Sequence, residues 1–176
     1  LSIAFDSINN NKDNSIVRII AGNHDVYFDQ WQEYCQLFGS STYFFIVKTP
    51  NASDLFIALE TTTGSLGKLQ KKWLEDTLKE KRSQHRYCFI LTHTNFFDTD
   101  LSQFPSGNFP LEETAFLTNI FDKYDVNLII NGHDHTYDYT ELDGIRYLTL
   151  EDAQDLDNEP TYFAINVQNN EITFKD

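Results

Sequence analysis

Three short apolar runs, each breaking into a histidine-bearing polar turn, constrain this chain more than any other feature. Arg18-Ile19-Ile20-Ala21 leads into Gly22-Asn23-His24-Asp25. Cys88-Phe89-Ile90-Leu91 leads into Thr92-His93, and Leu128-Ile129-Ile130 into Asn131-Gly132-His133-Asp134-His135. Short runs of β-branched and aromatic residues bounded by Gly and Asn read as buried strands. In open α/β sheets, ligand sites form beyond the carboxyl ends of the strands. Three neighbouring strand ends would therefore bring His24, His93, His133 and His135 to one crevice. The fifth histidine, His85, lies in a charged helix tail at 79–86 and reads as solvated.

The rest of the chain alternates strand and helix before turning to hairpins. Residues 1–11 look like the tail of a helix stopped by Asn9–Asn11, and 16–21 like a buried strand. Asp29 suits the N-cap of a helix running through Phe38 and closed by Gly39. Strands are expected at 42–47 and 54–59 across a polar turn. The clearest helix is 65–81, with Leu66, Leu69, Trp73, Leu74 and Leu78 inward and lysines in its last turns. A strand at 87–91 precedes a Phe-containing loop at 95–110. A second amphipathic helix at 111–124 turns Phe116, Leu117, Ile120 and Phe121 inward, and a strand follows at 126–130. Asp143-Gly144 between 137–142 and 145–150 is a strong hairpin signal. Asn169-Asn170 between 161–167 and 171–174 gives another. No repeat or linker divides the chain, so residues 1–176 read as a single domain of mixed α/β class.

Composition narrows the chemistry. Acids outnumber bases 27 to 13, for a net charge of −14. Such a surface repels nucleic-acid backbones and anionic lipid, which disfavours long nucleic acid as a partner. A phosphate-bearing ligand needs local compensation, and a divalent cation is the simplest source. Imidazole is the commonest side-chain metal ligand, and Asn and Asp oxygens add harder donors. A mixed N/O set suits Zn, Mn or Fe better than Ca or Mg. Cys35 and Cys88 read as two thiols rather than a bridge or a zinc ribbon. No apolar run approaches the roughly 18–20 residues of a membrane span. The chain has no Met and begins at Leu1, so it reads as incomplete at its amino end.

Gly22-Asn23-His24-Asp25, then His93 after Thr92, then Gly132-His133-Asp134-His135, in that order, resemble the calcineurin-like metallophosphoesterases. The helix carrying Gln70, Trp73, Leu74 and Leu78 ahead of the His93 strand is similar too. The resemblance implies a sandwich of two mixed β-sheets flanked by helices, holding two divalent metals (Mn, Zn or Fe). It implies that Asn23, His93 and His133 ligate one metal and His135 the other. His24, steadied by Asp25, would act on the transferring phosphoryl group or its leaving oxygen. The implied reaction is hydrolysis of small phosphate mono- or diesters, by a metal-activated hydroxide attacking phosphorus. Two motifs that the family carries ahead of Gly-Asn-His are missing. No Asp stands two before any His, and no Gly is followed by Asp. The chain thus resembles a family member without its first strands.

Three other readings compete: a metal-binding remnant without catalysis, a single-zinc hydrolase, and an acidic interaction module with incidental histidines. The phenylalanines of the 95–110 loop, Phe96, Phe97, Phe104 and Phe109, either grip an apolar leaving group or pin the loop to the core. Substrate, oligomeric state and compartment are not encoded in any motif.

Overall fold

The apolar runs assemble into one six-stranded mixed sheet, which decides where everything else sits. A computed structural model describes residues 16–27, 29–97, 109–151, 163–168 and 171–175. The chain enters through a one-turn helix α1 (Asn23–Val26) and α2 (Trp31–Phe38), then forms β1 (Tyr43–Lys48) and β2 (Ser53–Ala58). Helix α3 (Lys68–Lys81) runs through a 3-10 turn into β3 (Cys88–Leu91). Helix α4 (Leu111–Lys123) precedes β4 (Leu128–Asn131), β5 (Asp138–Leu142) and β6 (Ile145–Thr149). A separate pair, β7 (Ala164–Gln168) and β8 (Glu171–Lys175), completes the described elements.

The large sheet has the order β1-β2-β3-β4-β6-β5. Strands β2, β3, β4 and β6 are mutually parallel, while β1 and β5 pair antiparallel at the two edges. Register puts Ile57, Ile90, Ile129 and Tyr147 in one row across the four parallel strands. That row faces α3 and α4, where Leu74, Leu78, Leu117, Ile120 and Phe121 complete the main core. Side chains alternate along a strand, so the intervening residues form the opposite face. There Phe45, Phe56 and Phe89 stack with ring centroids 4.8 and 4.4 Å apart. Phe89, Leu128 and Leu148 meet Ile172, Ile165 and Val167 of the β7–β8 hairpin. Helices therefore cover one face of the large sheet and a small second sheet the other.

Local signals explain most boundaries. Gly39, at φ 82°, closes α2 by donating its N–H to the Cys35 carbonyl at 3.1 Å. Asp143 and Gly144 both have positive φ, 53° and 79°, as a two-residue primed hairpin turn requires. Glu113, buried near the start of α4, accepts from the Leu66 amide at 2.7 Å and the Lys71 ammonium at 2.6 Å, tying α4 to α3. Neither cysteine is bridged. Burial pushes the Cys88 thiol up to about 12. No helix of the described residues is long and apolar enough to cross a membrane.

Several expectations need correction. Residues 16–21 form no ladder among the described residues, and Ile16 is 80% exposed. The segment lies against β1 through side chains instead. Tyr43 Oη donates to the Ile19 carbonyl at 2.8 Å, and the Arg18 guanidinium sits 5.2 Å from the Phe45 ring centre. β-propensity describes a side chain's fit to a pleated surface and cannot supply a backbone neighbour. Helix α2 starts at Trp31 with Gln30 as its cap, and Asp29 takes a left-handed turn at φ 63° just before it. Helix α3 starts at Lys68, so Leu66 is buried ahead of it while Leu69 is 87% exposed. Leu69 lies about 140° around the helix from Leu74. The helix expected at 1–11 and the turn at 169–170 lie outside the described residues.

At the rim opposite the histidine turns, Arg86 makes a fork to buried Asp54, Nε to Oδ1 at 3.0 Å and Nη2 to Oδ2 at 2.6 Å. Asp54 also accepts the Tyr87 amide at 3.2 Å. Removing the arginine leaves the buried Asp54 carboxylate without its counter-charge, so Arg86→Met should cost about 1–3 kcal/mol of stability in a denaturant titration. Leu69→Ser should stay within about 0.5 kcal/mol of the parent.

Candidate functional site

The four parallel strands end together at Ala58, Leu91, Asn131 and Thr149. The turns that follow three of them, together with α1, build one rim. In α1, Asp25 Oδ2 accepts the Gly22 amide at 2.8 Å and closes the single turn. Asn23 Nδ2 donates to Tyr27 Oη at 2.9 Å, which leaves Asn23 Oδ1 facing His93 Nε2 at 2.8 Å. Gly22 is needed here for proximity rather than for its dihedral. A Cβ at that position would lie 3.2 Å from His93 Cε1 and 3.3 Å from its Nδ1.

His93 is pinned from both sides. Its N–H donates to Thr61 Oγ1 at 3.0 Å, in the turn after β2, and its carbonyl accepts from the Gly132 amide at 3.0 Å, in the turn after β4. Thr94 adds its amide to the same Thr61 hydroxyl at 3.1 Å, and its own hydroxyl bonds the Thr61 carbonyl. Across the β3–β4 step, His133 Nδ1 lies 3.1 Å from His93 Nε2, with the rings edge-on at 77°.

One oxygen and two ring nitrogens, from Asn23, His93 and His133, thus come into contact. The imidazoles are kept neutral by their surroundings. Burial above all, then the imidazoles of His133, His135 and His24, pull His93 down to about 4. Burial also lowers His133, with His135 and His24 adding to it and Asp134 opposing. His24 and His135 therefore lie near enough to influence both His93 and His133. A crevice of about 330 Å³ opens beside them, walled by Ile20, Leu91, His93, Asn131, His133 and His135.

The donor set fits a divalent cation. Ligand distances of about 2.0–2.2 Å put neighbouring ligand atoms on one ion about 2.8–3.1 Å apart at right angles and about 3.3–3.6 Å apart at tetrahedral angles, and the observed 2.8 and 3.1 Å match the right-angled spacing. Among the described residues no three His, Cys, Asp or Glu side chains stand close enough to hold an ion. The trio reaches three donors only by including Asn23. His135 stands on the crevice wall beside the trio. His24 is exposed, its ring 5.3 Å from that of Tyr27, and the Asp25 carboxylate is turned to the Gly22 amide. Phe96 and Phe109 are buried in the main core and Phe97 packs on it, so these rings pin residues 96, 97 and 109 to the core, while Phe104 lies outside the described residues.

Thr61, Asn95 and Thr149 are functional neighbours that sequence reading missed. All three are buried at the same rim. Thr61 had a usable signal, since it follows the end of β2 as His93 follows the end of β3.

Comparison with known proteins agrees with this architecture. The profile described as calcineurin-like phosphoesterase matches residues 4–137. No curated protein is significantly similar in sequence. Among solved structures, a dimetal phosphatase from Danio rerio is 15% identical with a TM-score of 0.55, over 77% of this chain and 60% of that one. GAP50, the anchor in the inner membrane complex of Plasmodium, is 14% identical with a TM-score of 0.54, over 71% of this chain and 42% of its own. The chain therefore spans about half the length of these two structures.

Thr61→Val removes the acceptor shared by two amides and should cost about 1–3 kcal/mol in thermal or chemical unfolding, with Thr61→Ser restoring most of it.

Proposed function

Because the chain belongs to the calcineurin-like phosphoesterase family, we propose that its histidine rim is the centre of a metal-dependent hydrolase of small phosphate mono- or diesters. The observation that carries this reading is the convergence of Asn23 Oδ1, His93 Nε2 and His133 Nδ1 within 2.8 and 3.1 Å contacts. In this reading those three residues hold one cation and His135 reaches a second. The cations are Mn, Zn or Fe, which the N/O donor set suits. When bound, such ions supply positive charge to phosphoryl oxygens and acidify water.

The chain's own residues supply the remainder. Neutral His93 and His133 offer lone pairs without first losing a proton. The Asn23 amide, anchored by Tyr27, adds a donor that carries no net charge. In this reading His24, which is exposed, gives a proton to a departing oxygen from the solvent side. With a net charge of −14 on the whole chain, an anionic ester gains nothing from the protein surface at large. Affinity for phosphate therefore has to arise at this rim.

The test is hydrolysis of para-nitrophenyl phosphate and its bis-ester with added Mn, alongside elemental analysis of metal per chain. His93→Ala should lose both metal and turnover. His24→Ala should keep its metal and lose about 10²–10⁴-fold in turnover. Undiminished turnover in that variant would remove the role given to His24. A folded chain that takes up no Mn, Zn or Fe would sink the whole reading.

A further inference from the structure

His133 and His135 both adopt left-handed backbone, at φ 75° and 56°. Neither is glycine, and such a conformation is costly for a residue with a Cβ. It persists only where the surroundings over-determine it. The residue between them, Asp134, is 1% exposed although it is a carboxylate. Its Oδ2 accepts from Asn95 Nδ2 at 2.6 Å, the short distance of a charge-assisted bond.

Asn95 is equally committed. Its Nδ2 also donates to the Phe97 carbonyl at 3.0 Å, and its Oδ1 accepts from the Phe96 amide at 2.7 Å and from Thr149 Oγ1 at 3.3 Å. Thr149 Oγ1 in turn accepts from Asn131 Nδ2 at 2.8 Å. Asn95, Asn131, Asp134 and Thr149 are all buried, so this chain of bonds is shielded from competing water. It starts two residues after His93, crosses to β6 and returns to the residues around His133.

We propose that Asp134, clamped by Asn95, is the positioning residue of this centre. By turning into the protein between two histidines, it forces the left-handed turns that present His133 and His135 to the crevice, and it fixes their distance from His93. This rests on the metal-site reading for its consequence, but not for its geometry. Partners that orient a ligand from behind typically govern metal affinity by about 10–100-fold.

The test compares the parent chain with Asp134→Ala, Asn95→Asp and the exchanged pair Asn95→Asp/Asp134→Asn. Backbone couplings and chemical shifts at residues 133 and 135 are read by NMR without metal, and Mn affinity is read by titration. Asp134→Ala should release the left-handed conformation at both histidines and weaken Mn binding about 10–100-fold. Asn95→Asp, which sets two carboxylates face to face, should do the same. The exchanged pair rebuilds the amide–carboxylate bond in the opposite sense but loses the donor to the Phe97 carbonyl, so it should recover both readouts in part. If Asp134→Ala does not fold, the Asn95→Asp variant and the exchanged pair decide. Unchanged angles, unchanged Mn affinity in a variant whose angles have shifted, or an exchanged pair that recovers nothing would each overturn the proposal. A parent chain that binds no Mn sinks the metal reading, and the metal-free angles then judge this inference alone.

Discussion

The rim depends first on the parallel pairing of β2, β3, β4 and β6. Parallel strands in register end on the same side, so turns far apart in sequence become neighbours without any further contact to bring them together. Ile57, Ile90 and Ile129 lock that register from the buried face. A slip by one residue would turn every one of these side chains to the other face, and would carry Thr61, His93 and His133 out of alignment with them. The geometry of the polar rim is thus set by apolar side chains that never touch it.

Within the rim, the central strand bears most of the constraint. Backbone groups of His93 are held on one side by Thr61 and on the other by Gly132. Its ring meets Asn23 and His133 at the same nitrogen. Burial and neighbouring imidazoles both oppose protonation there, which a metal ligand requires and a hydrogen-bonding core histidine does not.

The parts of this structure legible from sequence were those governed by local periodicity. Helix α4 with Leu117, Ile120 and Phe121 inward, and the Asp143-Gly144 hairpin, follow from residue spacing and turn chemistry alone. So does the strand-end position of His93, His133 and His135, though not that of His24. What did not read out depended on neighbours that sequence does not reveal. The 16–21 run has the composition of a strand but no ladder partner among the described residues. Leu69 matches the apolar spacing, yet the helix begins three residues later than its pattern suggests. The Asp134–Asn95 bond joins residues 39 apart through burial, and nothing in either local motif announces it.

The order β4-β6-β5 has a consequence for how the molecule is made. β6 inserts beside β4 although β5 is synthesised between them, so the flank of β4 stays open until the chain has passed Thr149. That threonine donates to Asn95 and receives from Asn131. A nascent chain emerging from the ribosome can therefore hold all four rim histidines and still lack the two Thr149 bonds that brace Asn95 and Asn131 beside them. Completion waits on a late, non-local strand docking, the slow kind of event in assembling a sheet.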